Sequence, residues 1–594
     1  MELPPGIVYI IANAPRIALP PALVFCGIQL WNTFSDVHMP IWLQVPLCIA
    51  SFPLILVCGA VYGDFRDRRQ AAMKGAILAP QVPSKWPGGL DLLLVSIRNF
   101  RGGYMGEVVE QQCKDNGNAV SFKILWENRI FTTEPEHVKA ILATQFNSFA
   151  KGPIFYDSAL SLLGTGVFNS DGDIWKFHRS MTRPFFNRDR ISDFEIFEKH
   201  ADDAIGQLKV RLRQGYPVDF QDMISRFTLD SATEFLFGKD VCSLSAGLVY
   251  PPNSPLAANV AFQNHPANQF AHAFLEAQLA TAYRGRFGKS WRLFELWNDR
   301  VKKDMRVCHK FIDPILEEAL SKKKALKETG LIPEKNEKER MVVEGETLLD
   351  HLVNYTEDIS VIRDEILNIM IAGRDTTAGT LTCVIWMLSQ HPNVLHKLRE
   401  EILTAVGTSR SPTLEDLREM KYLRAVINET LRLYPPVPFN GRTSVAPTVL
   451  PAAKGGQPIY VPANTSVRYS VFLIQRRKDL WGPDADEFDP DRFLDERLHK
   501  YLTPNPFIFV PFNAGPRICL GQQFAYNEVS YFLVRLLQVF SSVSLAEDVQ
   551  TLAPADWAKA PGRKGVEKAI VRGHLTMYIH DGLWVRMEEA SSNA

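Results

Sequence analysis

One cysteine constrains this 594-residue chain more than any other residue. Cys519 sits in the run Pro511-Phe512-Asn513-Ala514-Gly515-Pro516-Arg517-Ile518-Cys519-Leu520-Gly521, and an amphipathic helical pattern begins at Gln522. A cysteine at such a junction has free helix-terminal N–H groups and the positive end of a helix dipole near its sulfur. Both favour the thiolate, the form that binds metal. Gly515 and Gly521 permit tight turns and the close approach of a flat ligand. Arg517, two residues away, is placed to neutralise an acid group on that ligand. The combined F-x-x-G-x-R-x-C-x-G spacing sets this cysteine apart from a structural one in a Gly-Pro loop.

The other seven cysteines, Cys26, Cys48, Cys58, Cys113, Cys242, Cys308 and Cys383, are scattered and form no C-x-x-C. That spacing argues against a disulfide scaffold and excludes a cysteine zinc finger. They are expected to be small buried apolar residues. Lys and Arg number 66, and so do Asp and Glu. The chain therefore lacks the basic surplus of a nucleic-acid binder.

Residues 41–63 carry no charge and are long enough to span a bilayer as a helix. Arg66, Arg68, Arg69 and Lys74 follow at once, which places the rest of the chain in the cytosol. An earlier apolar stretch, 7–31, is interrupted by Pro15, Arg16, Pro20 and Pro21. It reads either as a second span or as an interfacial segment. The expected division is an apolar segment at 1–40, a transmembrane helix at 41–63, a basic, proline-rich connector at 64–89 and one large body at 90–594. Within that body, helical patterns cover 361–389, 395–406, 415–433 and 522–540. Strand-like runs lie at 119–126, 459–461, 466–471 and 575–579. Residues 243–268 read as a long inserted loop and 321–347 as a solvated linker. The fold class expected is mainly α with small β-sheets.

Three more runs stand upstream of Cys519 in a fixed order: Trp175-Lys176-Phe177-His178-Arg179, Ala372-Gly373-Arg374-Asp375-Thr376-Thr377 and Glu429-Thr430-Leu431-Arg432. Together with the cysteine loop they resemble the cytochrome P450 family of haem-thiolate monooxygenases, over roughly residues 90–590. The resemblance implies a P450 fold, haem b (iron protoporphyrin IX) with Cys519 as its axial iron ligand, and dioxygen as oxidant. It makes Trp175, Arg179, Arg442 and Arg517 haem-acid binders, with Phe512 and Gly521 packing beside the thiolate. Gly373 spares bulk where dioxygen sits, the Thr376 hydroxyl bonds to dioxygen, and Asp375 relays protons. Glu429 and Arg432 form a structural ion-pair network with Arg492 of Phe488-Asp489-Pro490-Asp491-Arg492-Phe493. Ala372, Val437, Leu575 and Thr576 fall in substrate-contact regions.

No G-x-G-x-x-G follows a strand, so a flavin or nicotinamide domain is not expected. Electrons are expected from NADPH through a separate cytochrome P450 reductase, with cytochrome b5 as a second donor. Lys176, Arg183, Arg188 and Arg190 are a candidate docking patch. The Ala-Gly-Arg-Asp-Thr-Thr form is similar to that of fungal alkane and fatty-acid hydroxylases, and the insertions resemble those of enzymes from wood-decay basidiomycetes. The implied substrates are long-chain alkanes and fatty acids, with aromatic xenobiotics as a further class. The implied place is the endoplasmic reticulum membrane, with contact to lipid. An electron-independent peroxygenase or hydroperoxide-rearranging enzyme is the competing reading, and a non-catalytic haem protein the third. Asp375 and Thr376 argue against both.

Overall fold

A 32-residue helix, Ile359–Gln390, organises the body. The computed structural model describes residues 3–591 except 188–190, 192–193, 259, 329–345, 357 and 454. Asp358 starts this central helix by accepting from the amides of Ser360 (2.9 Å) and Val361 (3.4 Å), an N-cap. The two halves of the helix are buried in different cores. Ile362, Ile366 and Met370 pack with Leu229, Phe270, Met305 and Leu352. Leu381, Val384 and Leu388 pack with Phe227, Leu423, Phe532 and Ile579. Between them residues 372–376 are only half-buried, and Ala372, Gly373 and Thr376 line a cavity.

Polar groups on the first half fix the helix against the loop 163–168. Asp364 accepts from the Thr165 amide (2.8 Å), Glu365 from the Val167 amide (3.1 Å) and Asn368 from the Phe168 amide (3.1 Å). Gly164 has φ +52, and a side chain there would strike the Asp364 carboxylate. On the second half, a Cβ at Gly379 would come within 3.2 Å of the Met577 carbonyl, so glycine lets the C-terminal hairpin pass close by.

The fold is mainly helical with small sheets. The largest sheet runs Ala119–Ile124, Glu127–Thr132, Ser466–Ser470, Phe439–Ser444, Phe149–Ala150. Only its second and third strands are parallel. A three-stranded sheet joins Val218–Asp219, Trp584–Glu589 and Phe540–Leu545. Two hairpins complete the set, Thr448–Leu450 with Ile459–Val461 and Val571–Gly573 with Met577–Ile579.

Several boundaries differ from the sequence expectation. Residues 119–126 hold the first strand of a hairpin and its turn, with Leu125 and Trp126 at positive φ. The pattern at 415–433 is two helices, Leu414–Glu419 and Lys421–Leu433, broken at Met420. Residues 243–268 are not one loop. They contain the turns Ser243–Ala246 and Pro255–Ala258, the helix Val260–Asn264 and the start of the helix Pro266–Phe287. The helix Arg300–Glu328 extends into the expected linker, whose residues 329–345 lie outside those described.

The N-terminal region forms two apolar helices, Pro5–Phe34 and Ile41–Met73, each long enough to cross a membrane. The first is continuous through Pro15, Pro20 and Pro21, because neighbouring groups in a membrane helix tolerate proline. The second runs ten residues beyond the apolar stretch, to Met73. The start of the first helix meets the body, where the Gly6 amide donates to the Glu295 carbonyl at 3.3 Å. The cysteines also divide. Cys113, Cys308 and Cys383 are buried, but Cys26 and Cys58 are exposed on the anchor helices, and Cys242 is exposed with φ +50.

Glu429 and Arg432 lie one helical turn apart and fully buried, joined by two contacts of 2.7 and 2.8 Å. Arg432 also donates to the carbonyls of Gln475 (2.8 Å), Ala485 (2.7 Å) and Glu487 (2.9 Å). Glu429 accepts from the Asp489 amide (3.0 Å), and Arg492 stands 3.6 Å from its carboxylate. Removing one member leaves the others charged in a dry interior. Glu429→Ala is therefore expected to cost about 3–5 kcal/mol in denaturant unfolding. A loss below about 1 kcal/mol, the value of an exposed pair, would contradict this burial.

Candidate active site

The cavity beside residues 372–376 has a volume of about 830 Å³. Its wall includes Ala372, Gly373 and Thr376, the stretch from Phe512 to Gly521 with Arg517 and Cys519, and Trp175, Arg179, Val437, Leu575 and Thr576. Apolar side chains such as Leu163, Phe235, Ile369 and Ile371 complete much of it.

The Cys519 loop is shaped by its backbone. Gly515 has φ +66, and a side chain there would collide with the Leu142 carbonyl. The Cys519 amide donates to the Phe512 carbonyl at 3.0 Å, and the Phe512 ring packs on Tyr526 with centroids 5.3 Å apart. At Gly521 the backbone itself does not demand glycine. Its φ is −83, and a Cβ there would meet only Phe186, at an ordinary 3.5 Å. What Gly521 contributes is its N–H, which faces the Cys519 sulfur and lowers its pKa. Arg179, which donates to the Ile518 carbonyl at 2.8 Å, lowers it further through its charge. The Cys519 side chain is exposed to the cavity, yet the protein packed around it outweighs both and leaves the thiol above its usual range. The helix-terminal N–H thus favours thiolate as the sequence suggests, but desolvation by the surrounding protein is the larger influence. A metal cation reverses that balance, because a coordinating thiol is deprotonated outright.

A second group of residues tests whether haem fits. Lys151, Arg442 and Arg517 all line the cavity. Burial, then the charges of Arg442 and Arg517, hold the Lys151 amine well below the usual lysine range. Arg517 pairs with Asp171 at 2.7 Å and donates to the Ser170 carbonyl at 3.1 Å. Its guanidinium carbon is 4.4 Å from the Trp175 ring centroid, with that of Arg179 at 5.8 Å. Two arginines and the Lys151 amine around one carboxylate make a basic cluster beside a wall thiol, one that an added anion would draw toward full charge. That donor set fits a flat iron ligand with acid side chains, as haem b is. Trp175 and Arg179 both line the cavity; Arg179 also reaches the cysteine loop through the Ile518 carbonyl, and Trp175 also lies against Arg517.

The central-helix residues also depart from the simple expectation. The Thr376 hydroxyl donates to the Ala372 carbonyl at 2.6 Å, so only its lone pairs are uncommitted. A Cβ at Gly373 would sit 3.0 Å from the Ala232 Cβ, so the bulk spared there faces the helix Phe220–Phe237. Asp375 is held by Gln278 (2.9 Å) and Arg374 (3.0 Å). His574 lines the same cavity, and burial pushes its pKa down to about 4, so it is neutral near pH 7.

Lys151, Asp171, Gln278, His574 and Glu528 were not legible as site residues. Lys151 reads as a loop lysine before Gly152-Pro153. Glu528 carried one signal, a lone acid within an apolar helical pattern. In the docking patch, Lys176 pairs with Asp173 at 2.9 Å and Arg183 is exposed. Arg188 and Arg190 lie outside the described residues.

Comparison with known proteins agrees with this geometry. The chain matches the family described as Cytochrome P450 over residues 80–558. It is 36% identical over 484 residues to the cytochrome P450 monooxygenase pvhE of Talaromyces variabilis, covering 78% of this chain and 84% of that protein. It is 37% identical over 488 residues to cytochrome P450 52A13 of Debaryomyces hansenii, covering 80% and 85%. It is 39% identical over 452 residues to cytochrome P450 52A4 of Candida maltosa, covering 74% and 78%.

Glu528, on the helix Gln522–Val539, lies behind this wall. Burial pushes its carboxyl up to about 8, offset in part by hydrogen bonds to Ser231 (2.7 Å) and Thr377. A raised carboxyl pKa means that the neutral form is preferred on folding. The associated stability is complete below the unfolded value of about 4.3 and is lost as pH rises; the folded group titrates near about 8. Glu528→Gln is expected to flatten the fall of Tm across that window. An unaltered profile would show that Glu528 is charged in the folded protein.

Proposed function

Because the chain belongs to the cytochrome P450 family, we propose that it hydroxylates long-chain alkanes and fatty acids. It is a haem-thiolate monooxygenase, anchored by two N-terminal apolar helices with its catalytic body toward the cytosol. In our reading the anchor and connector occupy residues 1–89 and the haem domain 90–594. Aromatic xenobiotics are a further substrate class.

When bound, haem supplies the iron at which dioxygen is reduced by two electrons, one oxygen atom entering a C–H bond and the other leaving as water. Cys519 holds the iron, while Arg442, Arg517 and Lys151 hold the acid side chains. Arg179 and the Gly521 N–H offset the thiolate charge, and Phe512 keeps water from the sulfur. Asp375, held between Gln278 and Arg374, passes protons toward Thr376, whose hydroxyl lone pairs accept them. Ala372, Val437, Leu575 and Thr576 contact the substrate. Electrons come from NADPH through a separate cytochrome P450 reductase, with Lys176 and Arg183 on the docking face and cytochrome b5 as an alternative donor.

One observation carries the reading. The half-buried gap of the central helix presents Thr376 to the same largely apolar cavity that Cys519 lines. A membrane anchor suits substrates that partition into lipid. A narrower kinship with enzymes of wood-decay basidiomycetes rests only on the inserted segments.

The test is hydroxylation of hexadecane and hexadecanoic acid in membranes supplied with reductase and NADPH. Thr376→Ala is expected to lower product formation by about 10²-fold, the low end of what a positioned proton-transfer group contributes. Product formed with peroxide alone, at equal rate in wild type and Thr376→Ala, would instead favour the electron-independent reading.

A further inference from the structure

Three arginines meet in the cavity wall at a place the haem-acid set does not reach. Arg129 lies on the strand Glu127–Thr132, Arg468 on Ser466–Ser470, and Arg286 in the last turn of the helix Pro266–Phe287. The register pairs Arg129 with Ser466 and Phe131 with Arg468. Side chains alternate along a strand, so Arg129 and Arg468 share one sheet face. Arg442 pairs with Val467 and therefore takes the other face. All three arginines line the cavity.

Their charge is not balanced. Arg129 pairs with Glu127 at 3.0 Å. The remaining partners are carbonyls at the end of one helix: Arg129 donates to Arg286 (2.8 Å), Arg468 to Gly285 (2.8 Å) and Arg286 to Ala282 (2.6 Å). The buried Nε of Arg286 has no partner among the described residues. Its guanidinium carbon lies 3.5 Å from the Phe100 ring centroid. Burial, with the charges of Arg129 and Arg286, pulls Arg468 down to about 9, and burial pulls Arg286 down to about 10. Arg129 is buried, and Arg286 and Arg468 are half-buried in the cavity wall, so three cations against one carboxylate leave a surplus that an anion offsets. An arginine fork matches a carboxylate in two parallel bonds.

We propose that Arg129, Arg286 and Arg468 form a carboxylate subsite that takes the acid head of a long-chain fatty acid and leaves its methyl end toward Cys519. This rests on the hydroxylase reading above. It makes the enzyme selective for the end of the chain remote from the acid, and it predicts that the acid, not the alkane, uses these residues. Phe100 and Phe131 then cover the first carbons of the tail.

The test titrates the full-length holoprotein with hexadecanoic acid, its methyl ester and hexadecane, reading the substrate-induced haem spin shift. Arg468→Gln and Arg286→Gln are expected to weaken the acid by about tenfold or more, the scale of a lost charged hydrogen bond. The ester and alkane should stay within about twofold of wild type, and Arg468→Lys should recover part of the acid affinity. Each variant must keep the wild-type carbon monoxide band, and Arg286→Gln, whose side-chain hydrogen bond stays within its own helix, serves if Arg468→Gln loses haem. Equal losses for acid and ester, or no loss for either, would overturn the subsite and leave the hydroxylase reading standing. No shift with any of the three ligands in wild type, with the carbon monoxide band intact, would overturn the substrate reading and the subsite together.

Discussion

Desolvation of the Cys519 sulfur is the constraint on which the site depends. The side chain opens onto the cavity, and the protein around it raises the thiol above its usual range. The Gly521 N–H and the Arg179 charge offset part of that cost. The rest must come from the iron. The loop is therefore built so that metal, not solvent, decides the ionisation. Gly515 folds it tightly against Leu142, and the Phe512 carbonyl holds the Cys519 amide. The Tyr526 ring on the adjoining helix packs on Phe512 of this loop.

The same trade recurs through the body. Two apolar cores hold the halves of one helix, and the functional stretch is the gap where neither core closes over it. Polar contacts place that gap: Asp364, Glu365 and Asn368 on one side, and Gln278 on Asp375 itself. The buried charges of Glu429, Arg432 and Arg492 tie a helix of the larger core to the segment 475–492, which leads toward the Cys519 loop. Charge is thus concentrated where backbone direction must be set, and at the cavity wall where an anion is expected.

Much of this could be read in the chain before its structure. Motif spacing located Cys519, the Glu429–Arg432 turn and the 372–377 stretch, because each depends on residues close in sequence. The strand Ile459–Val461 and the long helices followed from periodicity. What escaped depends on contacts far apart in the chain. Lys151 acquires meaning only beside Arg442 and Arg517, and Arg129 only beside Arg286 and Arg468. The Thr376 hydroxyl was read as bonding to dioxygen, and its contact with the helix carbonyl four residues back was not legible. Gly521 was read as a backbone necessity, whereas its φ is ordinary. The proline-interrupted first segment was read as broken, yet it is one helix.

The central claim is that Cys519 is the one cysteine that carries the metal chemistry, through a bond that overturns its burial penalty. The carbon monoxide difference spectrum of the reduced protein, taken for wild type, Cys519→Ser and Cys519→His, measures that bond directly. The account predicts the absorption position of thiolate-ligated haem in wild type and its loss in both variants. A thiolate-type band that survives either substitution would contradict it.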